Sequence, residues 1–167
     1  MLGMRRILYL LAAAVIVIFA TRYANGEQYG EKFTGVPYTI DAGTIRIGNV
    51  TIRLHGIDAP GPQKTCKRAD GKPWRCGWEA TMALANIVGE HWVTCKPRRS
   101  GAARPVAAVC RAGSLDINEW MVRNGWAEAS RRTSRSYGDA EREAKAARRG
   151  IWQGPFSGRS EHSHLIR

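Results

Sequence analysis

The chain has 167 residues, 26 of them Lys or Arg against 14 Asp or Glu, for a formal charge of +12. That length suits one domain with a real core, and the sequence holds no internal repeat that would point to an array. The charge draws the protein to polyanions, whether nucleic acid, acidic polysaccharide or anionic lipid, and charge alone does not choose among them.

Arg5 and Arg6 precede fourteen uninterrupted apolar residues, Ile7 to Ala20. The run falls short of the roughly 20 residues that a membrane span needs, and it suits the apolar region of an export signal. Neither Ala20, with Ile18 two residues before it, nor Ala24, with Arg22 there, completes a small-x-small cleavage pattern. Residues 1–24 therefore read as a signal peptide or, uncleaved, as an N-terminal anchor to the inner membrane. The expected location is the periplasm or the medium. Removing this segment takes away three arginines and no acid and leaves +9, so the basic character belongs to the rest of the chain. Residues 25–35, polar and glycine-bearing, are expected to be a linker, 36–153 the domain, and 154–167 a disordered tail.

Within the domain, Thr44 to Ile47 and Val50 to His55 each alternate apolar with polar residues, and Gly48-Asn49 between them is a two-residue hairpin link. Val50, Ile52 and Leu54 point one way, so Arg53 stands on the polar face with Thr51 and His55. Asp58 follows just past the strand end. A loop rich in Pro, Gly and basic residues covers 60–75. Cys76 to Val88 carries apolar residues at helical spacing and Gly89 stops it. Trp92 to Cys95 and Val106 to Cys110 read as strands joined by the basic loop Lys96 to Pro105. Asp116 with Glu119 opens a short helix whose Ile117, Trp120 and Met121 share a face. A third helix starts near Ser136 or Tyr137, with Tyr137, Ala140, Ala144 and Ala147 as its apolar stripe and Glu141–Lys145 as an i,i+4 pair. Gly150 ends it, and Ile151 and Trp152 tuck back on the core.

Four cysteines in an exported chain point to disulfides. The pairing Cys66–Cys76 closes a short loop, and Cys95–Cys110 links two strands expected to be neighbours. Zinc does not suit the spacing, because no C-x-x-C occurs and His162 and His164 sit in the polar tail.

Periodicity by itself yields a small α+β domain. The ordered segments IDAGT (40–44), IRLHGIDAPG (52–61), RPVAAVC (104–110), DINEWMVRNGWA (116–127) and YGDAEREAKAARRGIW (137–152) go further. Together they resemble the thermonuclease, or staphylococcal nuclease-like, family over roughly residues 36–153. The resemblance implies an α+β domain built on a five-stranded OB-fold β-barrel with three α-helices. It also implies calcium-dependent phosphodiester hydrolysis, in which two aspartates and a glutamate serve the metal and the attacking water while two arginines clamp the phosphate.

Carried over residue by residue, the arginines match Arg53 and Arg104. Asp58 matches the second metal aspartate. Gly43 stands in the slot of the first, with Asp41 two residues earlier as a weaker substitute, and Gly61 stands in the slot of the glutamate. Ala102 and Ala103 replace a Tyr-Gly pair, and Ser130 and Thr133 are nearest to where family members carry nucleotide-stacking tyrosines. Trp74 and Trp78, beside the basic loop, are the candidates for ligand stacking. Calcium wants six to eight oxygens, so the remaining carboxylates are expected to hold it weakly at best.

The sequence thus leads to an exported thermonuclease-like domain that binds phosphate-bearing or polyanionic ligands, its catalytic carboxylates largely lost. Alternatives are a weak calcium-dependent nuclease acting on DNA or RNA, and an accessory role in bacterial exopolysaccharide assembly, where thermonuclease-like proteins also occur. The partner is expected to be nucleic acid or an acidic polysaccharide. A membrane is touched only through an uncleaved N-terminal segment, and the protein is expected to be a monomer.

Overall fold

The structure, a computed structural model, describes residues 32–98 and 105–156. In chain order the strands are β1 (Phe33–Gly35), β2 (Tyr38–Asp41), β3 (Thr44–Ile47), β4 (Val50–Leu54), β5 (Ile57–Asp58), β6 (Cys66–Lys67) and β7 (Pro73–Trp74). Helix α1 (Cys76–Val88) follows, then β8 (Val93–Pro97), β9 (Val106–Ala112) and β10 (Leu115–Asp116). Helix α2 (Ile117–Arg123), β11 (Glu128–Ala129), α3 (Gly138–Ala146) and a 3-10 turn over Gly150–Gln153 complete the chain. The signal or anchor, Arg104 and the tail from 157 lie outside the described residues.

The hairpin forms as its alternation dictates. Ile45 and Ile52 face each other across β3 and β4 and are fully buried, while Arg46 and Arg53 on the opposite face are exposed. Gly48 takes a positive φ of 55° at the turn, a conformation open to glycine at little cost. The main sheet runs β1-β8-β9-β4-β3-β2, with β10 added on β9. All its pairs are antiparallel except β4 with β9. The sheet curls strongly. A Cβ on Gly35 of edge strand β1 would lie 2.9 Å from Ile47 Cγ2 of β3. Among the described residues no strand pairing joins the two edges, so the α+β class and three helices stand while the hydrogen-bonded sheet is curled rather than closed.

One core lies inside this curl. Leu84 and Val88 of α1 and Ile117, Met121 and Val122 of α2 bury against Ile45, Ile52, Leu54 and Val93. A second, smaller core gathers Cys66, Trp74, Cys76 and Ile151, with Trp126, Trp152 and Phe156 packed against it. Both expected disulfides are present. Cys95 and Cys110 sit opposite each other in the β8–β9 register, Cα atoms 4.0 Å apart, and Cys66–Cys76 spans 5.6 Å. No helix among the described residues is long and apolar enough to cross a membrane.

Several expectations need correcting. Phe33–Gly35, at the end of the stretch read as linker, is strand β1 on β8. Phe156, read as tail, packs edge-on against Trp152 with ring centroids 5.3 Å apart. Ala147 is exposed and lies outside the apolar stripe of α3. Trp74 is buried, edge-on to Trp126 and covered by the Arg68 guanidinium, so its ring is not presented to a ligand. Packing of the disulfide loop against the 3-10 turn decides this, and no local pattern reports it.

Asn118 holds the junction where β4 leaves β9. Fully buried, it accepts from Cys110 N–H (3.1 Å) and donates to the carbonyls of His55 (2.8 Å) and Ala108 (3.1 Å). Its amide does the pairing that a continuing strand would do. Asn118→Ala should therefore cost about 3 kcal/mol, since each buried group left unpaired costs about 1–3 kcal/mol. Urea unfolding checks this, and a loss under about 1 kcal/mol would mean that water replaces the amide.

Helix α2 is capped by Asp116, whose carboxylate accepts from Glu119 N–H at 3.0 Å. Burial pushes the Tyr137 phenol well above its ordinary range, and the Asp116 and Glu119 carboxylates push the same way.

Candidate functional site

Three short elements meet at one opening. β4 supplies Arg53, the facing ends of β2 and β3 supply Asp41 and Thr44, and β5 with the loop after it supplies Asp58, Gly61 and Lys64. They line a cleft of about 880 Å³ that Glu128 and Phe156 complete. The sheet fixes the backbone of Arg53 and the face its side chain takes. The residue stands opposite Thr44 in β3 and Ala107 in β9, and the buried Ile52 and Leu54 on either side force it outward.

Asp58 is held by pairing of β5 with β11, and Arg132 lies 3.9 Å from its Oδ2. Asp41 turns its Oδ1 onto the backbone N–H of Gly43 at 2.8 Å, an Asx turn that follows the irregular register at the end of β2. The loop after Asp58 is pinned from outside. A Cβ on Gly77 of α1 would lie 1.8 Å from Gly61 O, and Gly77 N–H donates to Lys64 O at 3.1 Å. The Cys66–Cys76 bridge anchors the same junction.

Arg53, Asp58 and Asp41 line this one cleft, and Gly61 lines it with them. Gly43 lies just behind, where an added Cβ would touch Ala59 of the cleft wall at 3.4 Å. Arg104, the second expected phosphate ligand, lies outside the described residues. Trp78 is about half exposed and carries the Arg75 guanidinium over its ring at 5.6 Å, but it does not line the cleft. Ser130 is buried and works on the backbone: its N–H donates to Gly56 O at 2.9 Å, and its carbonyl accepts from Thr133 and Ser134.

Glu128 is the cleft residue that sequence reasoning missed. It is the register partner of Asp58 in the β5–β11 pair, so the two carboxylates emerge side by side. Two-residue strands leave no periodic signature, and the pairing joins distant parts of the chain. The position of β11 depends in turn on Glu141. This buried carboxylate of α3 accepts from Ala129 N–H at 3.1 Å and pairs with Lys145 Nζ at 3.0 Å.

Among the described residues, no group of three or more His, Cys, Asp or Glu side chains converges so as to hold a metal ion. The cleft thus sets two cationic side chains, Arg53 and Lys64, among three carboxylates, Asp41, Asp58 and Glu128, and a guanidinium in such a place can bind a phosphate through two parallel hydrogen bonds.

No curated protein matches the chain. Residues 51–154 match the family described as staphylococcal nuclease homologue, SNase, a nuclease family that works on nucleic acids with calcium and whose fold is the OB-fold. That span covers β4 through the 3-10 turn, including Arg53, Asp58, Gly61 and Glu128, and with it most of the curled sheet, the three helices and the cleft: the chain belongs to the staphylococcal nuclease homologue family.

Proposed function

We propose that this domain binds phosphate-bearing polyanions in the cleft, with Arg53 as the anion anchor, and that its capacity for hydrolysis is largely lost. The observation that carries this reading is the pair of glycines at the cleft. Gly61 lines it and Gly43 backs its wall, where the family resemblance calls for a glutamate and an aspartate. The donor set present does not fit the calcium that the family uses, because Asp41 is committed to the Gly43 N–H and no three acidic groups converge among the described residues. Two disulfides support a site of action outside the cytoplasm, where such bonds persist.

The direct test is binding of a short oligonucleotide such as a dithymidylate, followed by calorimetry in the presence of chelator. Arg53→Ala should weaken it about 10- to 100-fold, the equivalent of one charge-assisted interaction. Unchanged affinity in Arg53→Ala would remove the guanidinium from the site and overturn the proposal.

One observation favours a second reading, a weak calcium-dependent nuclease: Asp41, Asp58 and Glu128 all line the same cleft as Arg53. Chelator-sensitive cleavage of single-stranded DNA by the wild-type protein, abolished in Arg53→Ala, would establish it over the first.

A further inference from the structure

The strand register places a line of cations outside the cleft as well as in it. Arg98 N–H donates to Ala107 O at 2.9 Å, which extends the β8–β9 ladder one residue past Pro97. Ala107 in turn stands opposite Arg53, and Arg53 opposite Thr44. Arg98 and Arg53 are therefore two strands apart in one row, about 10 Å at the usual strand spacing, with only the small Ala107 between them. The next row is Thr51, Arg46 and Tyr38. Arg46 is the diagonal neighbour of Arg53, about 7–8 Å away.

All four residues of this diagonal, Arg98, Arg53, Arg46 and Tyr38, are exposed, while the alternate residues Ile45 and Ile47 of β3, Ile52 and Leu54 of β4 and Val93 and Cys95 of β8 are buried. At its end the Tyr38 ring is 63% exposed, with the Arg46 guanidinium over it at 5.2 Å. Asp41 stands at the end of the first row with its carboxylate turned onto the Gly43 N–H, and Asp58 and Glu128 share the cleft with Arg53.

We propose that this diagonal is a binding track for single-stranded nucleic acid, leading from the cleft across the outer face of the sheet and ending in base stacking on Tyr38. It rests on the reading of Arg53 as the anion anchor and extends that site to a polymer. Three cations in a line suit successive phosphates of a flexible backbone, and an exposed aromatic already backed by a guanidinium offers its open face to a base. A duplex keeps its base faces stacked and cannot use that ring. An acidic polysaccharide meets the same cations but has no base to stack.

The experiment is fluorescence anisotropy of a labelled oligothymidylate of about 12 nucleotides across a salt series, using the full folded protein. The dithymidylate and an abasic oligomer of the same length and charge run beside it. Tyr38→Ala should weaken the oligothymidylate about 5- to 150-fold and leave the dithymidylate and the abasic oligomer unchanged, while Tyr38→Phe binds as the wild type. Arg46→Ala and Arg98→Ala should each lower the salt slope by about 0.7. The control Arg142→Ala, which removes an exposed charge on α3, should leave the slope unchanged. All these side chains are exposed, so the variants keep the core, and circular dichroism checks that they fold.

Oligothymidylate binding with a wild-type slope in Arg46→Ala and Arg98→Ala overturns the track and leaves the Arg53 site standing. Equal affinity for the abasic oligomer, or for an acidic polysaccharide insensitive to Tyr38→Ala, overturns nucleic acid as the occupant. Failure of the dithymidylate as well as the oligomer to bind overturns the track and the proposed function together.

Discussion

The Gly43→Asp/Gly61→Glu double variant is expected to gain calcium-dependent hydrolysis of single-stranded DNA, about 10²- to 10⁴-fold above the wild type. The gain is the size usually attributed to a positioned acid–base group, and on the proposed reading it comes with the carboxylates whose slots Gly43 and Gly61 occupy. The scaffold has room for both side chains. A Cβ at Gly61 meets nothing within 4 Å, and one at Gly43 touches Ala59 Cβ at 3.4 Å, an ordinary contact. Neither glycine has the positive φ that would strain a larger residue.

The new Asp at 43 would come near Asp41, whose Oδ1 lies 3.8 Å from the added Cβ, so the carboxylates repel until a cation binds. Each single variant should therefore gain far less than the pair. Adding Arg53→Ala to the double variant should return it to background. Fluorogenic DNA cleavage with calcium and with chelator measures all of this. A silent double variant that still binds oligonucleotide would mean that the family's chemistry needs more of the surroundings than these two positions, such as the Tyr-Gly replaced by Ala102-Ala103.

Reducing both disulfides is expected to lower the melting temperature by roughly 10–30 °C. Removing a native bridge from a small secreted domain costs about 2–5 kcal/mol, and whole domains hold only about 5–15 kcal/mol. The two bridges should yield separately. Cys95–Cys110 is fully buried between two strands already paired along their length, so reductant reaches it only when the sheet opens. Cys66 is 6% exposed, against 0% for either cysteine of the inner pair, and its bridge ties down the loop that carries Gly61 and Lys64 into the cleft.

Mild reductant should therefore weaken oligonucleotide binding before it melts the sheet. Cys66→Ser/Cys76→Ser should reproduce that loss, with a melting temperature still above that of Cys95→Ala/Cys110→Ala. The reverse order, with the inner pair reduced first, would show that the β8–β9 ladder opens more readily than the loop. Thermal melts and mass spectrometry of alkylated thiols follow both processes.

Pieces of the fold whose cause is local were legible in the chain alone. Alternation fixed the β3–β4 hairpin and pointed Arg53 outward, because a side chain in a strand has two faces to choose from and its neighbours Ile52 and Leu54 claim the buried one. Helical spacing and a following glycine fixed α1 from Cys76 to Val88, and the Asp116 cap fixed the start of α2. Both disulfides were legible because each closes a short interval between elements that local pattern already placed. The family motifs added Asp58 and the two glycines.

Long-range pairing set the rest. The parallel β4–β9 pair, the addition of β1 to β8, and the β5–β11 pair that sets Glu128 beside Asp58 all join segments far apart in the chain. Strands of two or three residues are too short to show a period, and their free energy comes from partners that appear only when the sheet curls. The same holds for Trp74, whose burial depends on Trp126 and Ile151 folding back from the other end of the domain. Local sequence sets which face a residue prefers, and long-range pairing sets what it faces.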